Sequence, residues 1–296
     1  RVYLLNETEK TTYGRRKNFR RFFNFLKCIL VSPIMLKKKR EERTVSGYFF
    51  KRYELKYILT PSQYRAVRVE IEKRLEADEF GENTVQSLYL DTADDRLIRE
   101  SIEKPIFKEK LRFRCYNLNE NDGEVFVEMK RKYEGVVYKR RLACKESEAL
   151  GMASGLKNTQ IGKELGYFFS FYGDLRPKVM ILYDREAFLD KSGDLRVTFD
   201  RNVRYRKDEL NFHTSLDGDP LLKNGEVLME LKTGTAFPLW LCEMLDKEQI
   251  RKTSFSKYGT AYKLEHEKTE RKGGKILCLN RSSLTEPSLQ PASSSL

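Results

Sequence analysis

From residue 52 onward the chain returns again and again to one pattern, a charged side chain followed by an apolar one, repeating every second residue. Successive strand residues point to opposite faces, so a period of two marks strands that keep one side apolar. In 109–116, Lys110, Arg112, Arg114 and Tyr116 share one face, and Leu111, Phe113 and Cys115 the other. In 125–132, Glu128, Lys130 and Lys132 oppose Val125, Val127 and Met129. Lys139 falls with Arg141 in 135–142, and Arg196, Thr198 and Asp200 oppose Leu195, Val197 and Phe199 in 194–201. Glu230 and Lys232 oppose Val227, Met229 and Leu231 in 226–232, while 52–59 offers Arg52, Glu54 and Lys56. With 85–91 and 178–189, and with the first two of these strands extending over 109–117 and 124–132, this makes eight strands, joined by short turns such as Asn121-Asp122-Gly123. The expected fold is α+β, an eight-stranded antiparallel β-barrel with flanking helices.

Helices are expected between the strands. Thr60-Pro61 supplies an N-cap and a first-turn proline ahead of Tyr64, Val67, Ile71 and Leu75 at helical spacing. Further helices are expected at about 92–101, 158–171, 238–248 and 254–265.

A sheet with one wet face would show the same alternation in any single strand. Three features point further. Glu-x-Lys recurs on three strands, as Glu54-Leu55-Lys56, Glu128-Met129-Lys130 and Glu230-Leu231-Lys232. Arginine, the side chain suited to bidentate phosphate contacts, dominates 112–114. If the strands close, their polar faces converge on one interior. Two like charges about 5 Å apart repel by roughly 3 kcal/mol at an effective dielectric near 20. Such an interior has to be offset by interleaved carboxylates, by water or by a ligand with several negative charges in a row.

The net charge of +13 belongs mostly to the N-terminal segment. Residues 1–52 carry 15 of the 57 Lys and Arg and 4 of the 44 acids, leaving a nearly balanced 42 and 40 in the rest. The chain divides into a basic leader (1–46), a folded body (47–266) and a Ser- and Pro-rich tail (267–296) expected to be disordered. The apolar stretch 22–36 is shorter than the roughly 20 residues that span a bilayer. With basic blocks on both sides, residues 15–40 could make a weak membrane-surface contact. Five scattered cysteines without a C-x-x-C fit the thiols of a reducing compartment, so the expected location is cytoplasmic. Two histidines far apart in sequence, His213 and His266, speak against a His-rich zinc site or a His-based triad. No phosphate-binding P-loop, kinase motif set or G-x-S-x-G elbow occurs. Nucleic-acid binding is not expected, because the aromatic spacing beside the basic leader is irregular.

Seven segments, in order over about 47–265, carry a family resemblance. They are Arg52-Tyr53-Glu54-Leu55-Lys56-Tyr57, Leu88-Tyr89-Leu90-Asp91-Thr92, Lys110-Leu111-Arg112-Phe113-Arg114-Cys115-Tyr116 and Val127-Glu128-Met129-Lys130-Arg131-Lys132, then Tyr183-Asp184-Arg185-Glu186-Ala187-Phe188, Leu228-Met229-Glu230-Leu231-Lys232 and Ser254-Phe255-Ser256-Lys257-Tyr258-Gly259. Together they resemble the VTC domain, a polyphosphate polymerase of the triphosphate tunnel superfamily that also contains CYTH-type triphosphatases. The resemblance is to the compact bacterial form, without SPX or multi-span membrane domains.

The resemblance implies a tunnel in which the γ-phosphate of ATP passes to a growing inorganic polyphosphate chain with Mn²⁺ or Mg²⁺. It places Lys56, Arg112, Arg114, Lys130, Arg185 and Lys257 on the reacting phosphates, with Arg96 and Lys232 as further substrate contacts. The strand alternation adds Lys139, Arg141 and Arg196 to the expected substrate contacts. The resemblance implies Glu230 as the metal ligand, and the recurring Glu-x-Lys adds Glu128 and Glu54 as expected metal ligands. CYTH-type members open with E-x-E-x-K, whereas this chain has Arg52-x-Glu54-x-Lys56. One carboxylate fewer weakens two-metal water activation and favours transfer over hydrolysis. A triphosphate hydrolase and a non-catalytic polyphosphate-binding module are the alternatives.

Overall fold

The computed structural model describes residues 53–103, 105–119, 122–134, 136–151 and 159–281, with the backbone alone at 150 and 272–281. The basic leader, its expected membrane contact and residues 282–296 lie outside the described residues. Among the described residues ten strands are present: β1 (Tyr53–Leu59), β2 (Glu76–Ala77), β3 (Asn83–Thr92), β4 (Phe107–Tyr116), β5 (Glu124–Tyr133), β6 (Val136–Lys145), β7 (Leu175–Leu189), β8 (Arg196–Arg206), β9 (Asp219–Pro220) and β10 (Val227–Thr233). The helices are α1 (Pro61–Glu72), α2 (Arg96–Ile102), α3 (Glu146–Leu150), α4 (Gln160–Tyr172), α5 (Leu239–Lys247) and α6 (Lys257–Arg281). The eight long strands are those the alternation predicts. The two-residue β2 and β9 and the one-turn α3 are too short to leave a periodic signal.

All ladders are antiparallel, and the long strands run in the order β1-β10-β8-β7-β3-β4-β5-β6. In a flat sheet β1 and β5 would be about 29 Å apart, at about 4.8 Å per ladder step. Instead Lys130 Nζ of β5 comes to 3.8 Å from Glu54 Oε2 of β1. Only a sheet rolled nearly into a ring allows that. Among the described residues no backbone ladder joins β1 to β6, so the roll is a half-barrel bridged by side chains. The free edge of β1 is met by the segment before α6, where Thr253 N donates to Lys56 O at 2.8 Å.

The apolar faces of the strands pack outward against helices. Leu111, Phe113, Val125, Val127 and Met129 bury against Leu165, Phe168 and Tyr172 of α4. Tyr57, Leu59, Val197, Phe199, Met229 and Leu231 bury against Val67 and Ile71 of α1 and Leu241 and Met244 of α5. Thr60 and Gln63 form a reciprocal capping box at the start of α1, as the Thr-Pro signal predicts. A third cluster lies on the concave side, where Val85, Tyr89, Val179, Ile181, Tyr183, Val203 and Tyr205 pack against Ile98 of α2 and Tyr258 and Ala261 of α6. The interior is therefore not polar throughout, because helices cover the concave side of β3, β7 and β8.

Asp91 fixes this arrangement. Its buried carboxylate accepts from Leu97 N and Thr92 N (each 2.8 Å), Ile98 N (2.9 Å) and Tyr258 Oη (3.0 Å), tying the first turn of α2 to α6. Carboxylates are favoured at such helix starts by the unpaired N–H groups there. Helix α6 runs to Arg281, past residue 266 where the folded part was expected to end. Its exposed turns are supported by Lys268–Glu265 (3.0 Å) and Arg271–Glu267 (3.8 Å) pairs at helical spacing. No described helix is long and apolar enough to cross a membrane.

Candidate functional site

The rolled sheet collects the charged faces of β1, β4, β5, β6, β7, β8 and β10 on its concave side, where they organise around buried carboxylates. The first centre is Glu128 of β5. Neighbouring strands in register set its partners: Arg112 of β4 and Arg141 of β6 are its Cα partners on either side. Arg112 NH2 lies 2.6 Å from Glu128 Oε2 and Arg114 NH1 3.7 Å. Lys139 Nζ and Arg141 Nε approach Oε1 at 2.8 and 3.7 Å. Burial alone would raise the Glu128 carboxyl, but Arg112, Arg114 and Lys139 hold it well below the usual carboxylate range. Two tyrosines of the apolar cluster orient the arginines: Arg112 NH1 donates to Tyr89 Oη (2.9 Å) and Arg114 NH2 to Tyr183 Oη (3.1 Å).

The second centre joins Asp200 of β8 to Glu230 of β10. Arg185 of β7 donates Nε and NH2 to the two Asp200 oxygens at 2.6 and 2.7 Å. Lys257, the first residue of α6, donates to Asp200 Oδ2 at 2.5 Å and sits 4.3 Å from the Tyr183 ring centre. Arg185 and Lys257 both reach Glu230 at 3.7 Å. Glu230 also takes Lys232 (2.9 Å) and Lys56 (3.3 Å). Burial would raise both carboxyls; Arg185 and Lys257 hold Asp200 below its usual value, and Lys232, Lys257 and Lys56 hold Glu230 well below its own. Glu54 lies 3.6 Å from Lys56 of the second centre and 3.8 Å from Lys130, two residues along β5 from Glu128.

Four acids thus face nine cations: Lys56, Arg112, Arg114, Lys130, Lys139, Arg141, Arg185, Lys232 and Lys257. Each carboxylate is saturated with positive partners, and the surplus is available to an incoming polyanion. Burial lowers the Lys130 ammonium despite Glu54, and pushes Lys139 down to about 8 despite Glu128.

Two of the expected substrate residues stand apart from this set. Arg96 pairs with Glu100 at 2.9 Å and lies over the Phe171 and Tyr172 rings, on the outer side with α4. Its helix start is set by Asp91, which turns α2 so that Arg96 faces away from the concave cluster. Arg196 occupies the end of β8 and pairs with Asp78 at 3.3 Å.

The expected metal ligands divide in the same way. Among the described residues no three His, Cys, Asp or Glu side chains gather as a metal cage. Glu128 and Glu230 each have four cations within 4 Å. Three of those at Glu128 are arginines, with Arg112 and Arg114 held by tyrosine hydroxyls, whereas three of those at Glu230 are lysines that an incoming ion can more readily displace. Glu230 and Glu54 are both within reach of the Lys56 ammonium and are held ionised. They fit an ion that arrives on phosphate oxygens, because Mg²⁺-type ions take one or two carboxylates and complete their shell with substrate and water.

Asp200, Lys110, Tyr89 and Tyr183 were not among the expected site residues. Asp200 shares a face with Thr198, and Lys110 with Arg112 and Arg114, so the alternation that selected their neighbours carried the signal for them too.

The model of the VTC domain family matches residues 51–266. Among curated proteins, none matches the chain. Solved structures similar to it include a candidate adenylate cyclase from Vibrio parahaemolyticus (15% identity, TM-score 0.39, covering 72% of this chain and 98% of that one). Another candidate adenylate cyclase, from Bacillus halodurans, gives 13%, 0.44, 69% and 92%. The PH1819 protein from Pyrococcus horikoshii OT3 gives 13%, 0.38, 72% and 99%. With TM-scores below 0.5, none of the three bears on the chemistry of the site. The family match spans nearly the whole described body, including both carboxylate centres and the segment that delivers Lys257, and the chain belongs to the VTC domain family.

Proposed function

We propose that the protein is a polyphosphate polymerase that transfers the γ-phosphate of ATP to a growing inorganic polyphosphate chain held along the concave face. The observation that carries this reading is the surplus of cations around four saturated carboxylates, spread over six strands and the start of α6 instead of gathered at one point. Phosphoryl transfer asks the protein mainly for alignment and charge neutralisation, with little acid–base work. A site of arginines and lysines without a catalytic histidine suits that demand.

Arg112 and Arg114, held by Tyr89 and Tyr183, present guanidinium forks to phosphate oxygens. Arg185 and Lys257 exchange part of their hold on Asp200 for the incoming anion. Lys56, Lys130 and Lys232 supply mobile point charges along the chain, and Lys139 and Arg141 extend the track onto β6. Glu230 with Glu54 would hold a Mn²⁺ or Mg²⁺ ion, which supplies further charge neutralisation at the phosphate oxygens when bound. Glu128 takes the role of an internal counter-ion that fixes four cations at once.

Incubating the protein with ATP and Mn²⁺ or Mg²⁺ and resolving the products on a gel tests the proposal. Long polyphosphate together with ADP is the expected outcome. ADP with free phosphate and no polymer would make the protein a hydrolase. Ligand binding without turnover would make it a polyphosphate-binding module.

A further inference from the structure

Lys110 stands on β4 two residues before Arg112 and faces the same concave side. Its Nζ donates to Ser256 Oγ at 3.3 Å and lies 5.9 Å from the Tyr258 ring centre. Its Cα partner across the ladder is Lys130. The charged groups that act most strongly on it are cations: Lys108 and Arg112 on its own strand, Lys130 on β5 and Lys56 on β1. The nearby acids are engaged elsewhere, Glu54 by Lys56 and Lys130 and Glu128 by its four partners. Among the described residues no carboxylate forms an ion pair with Lys110, whereas Lys56, Lys130 and Arg112 each have one. From the segment before α6 and from α6 itself it meets only a hydroxyl and a ring.

We propose that Lys110 belongs to the polyanion-binding set and takes up a proton when a chain of phosphates enters, so that loading the site is coupled to pH. The inference rests on the polyphosphate reading above and adds a residue and a linkage to it. Burial, followed by the charges of Lys108, Lys130, Lys56 and Arg112, pushes the free ammonium down to about 7. A phosphate chain supplies the counter-charge that the protein does not, and returns the ammonium toward its ordinary value. The sign follows directly: above about pH 7 the free protein lacks this proton and the loaded protein holds it, so affinity falls as pH rises. The gain is largest for a ligand dense in negative charge, which favours a polyphosphate over a single phosphate.

Calorimetric titration of the full chain with tripolyphosphate, in two buffers of different ionisation enthalpy, measures the linked proton. Wild type is compared with Lys110→Arg, whose guanidinium stays charged, and with Lys110→Met, which cannot be charged. Protons carried by the ligand itself are common to all three proteins and cancel in the comparison. At pH 8 wild type is expected to take up about 0.9 proton more than either variant. Its affinity is expected to fall about fivefold more between pH 7 and pH 8 than that of either variant. Should one variant fail to fold, the other carries the comparison. Binding with equal uptake and equal pH dependence in wild type and variant overturns the role of Lys110 and leaves the polyanion site standing. No binding of tripolyphosphate by wild type overturns both.

Discussion

Replacing Arg112 by alanine is expected to slow phosphoryl transfer by about two to three orders of magnitude while leaving the fold nearly as stable as before. The loss corresponds to about 2–4 kcal/mol of transition-state stabilisation, the usual range when one preorganised charge-stabilising donor is removed. The fold should survive because Glu128 keeps other counter-charges, Lys139 at 2.8 Å with Arg114 and Arg141 each at 3.7 Å. Tyr89 loses a donor to its hydroxyl but stays packed in its apolar cluster. The rate of ADP formation from ATP and a thermal melt of the same preparation separate the two effects. An unchanged rate in a folded variant would remove Arg112 from the reacting set.

Arg131→Met should do the reverse, acting on stability and not on the site. Arg131 is on the outer face of β5, away from the concave side. It donates Nε to Glu109 Oε2 at 2.8 Å and NH1 to Glu164 Oε2 at 3.1 Å. Both carboxylates are about 2% exposed. Among the described residues Glu109 otherwise has only the Tyr172 hydroxyl at 2.8 Å, and Glu164 has Arg140 at 3.5 Å and the Gln160 amide at 3.3 Å. Removing the shared cation leaves two buried charges undercompensated, which destabilises by about 3–5 kcal/mol. Urea unfolding should show the midpoint falling accordingly. Burial already raises the Glu109 carboxyl above its usual 4.5, against the pull of Arg131. Without Arg131 it rises further, so the folded state binds a proton more tightly than the unfolded chain. The deficit is then full above the folded-state pKa and shrinks as pH falls toward the unfolded value. A deficit that grows on acidification would contradict this assignment.

The eight strands and the grouping of Lys56, Arg112, Arg114, Lys130, Lys139, Arg141, Glu230 and Lys232 were legible because a period of two is a local property. Each strand declares which residues share a face without knowledge of its neighbours. The pairing of acids with cations was not legible, because it depends on strand order. Glu128 looks like Glu54 and Glu230 in sequence, each beginning a Glu-x-Lys. It becomes an internal counter-ion because β4 and β6 flank β5 and bring arginines to it from both sides. Arg96 illustrates the same limit for helices, since the buried Asp91 carboxylate decides how α2 is set down. Lys257 lies on α6 and was reachable only through the family pattern, because nothing in helical periodicity brings a first-turn lysine to a β-strand carboxylate. The concave apolar cluster was hidden for a related reason: Val179, Ile181 and Val203 look like core residues on either face until α2 and α6 are seen to cover them.

A crystal structure of the protein with tripolyphosphate examines the polyanion site at atomic level. The chain of phosphates is expected on the concave face, with its oxygens in hydrogen-bond reach of Arg112, Arg185 and Lys257 and with Glu128 still bound to its own cations. Tripolyphosphate found only on the outer helices or at the rim near Arg196, with the nine cations unchanged in their pairing, would show that the concave charge is purely structural.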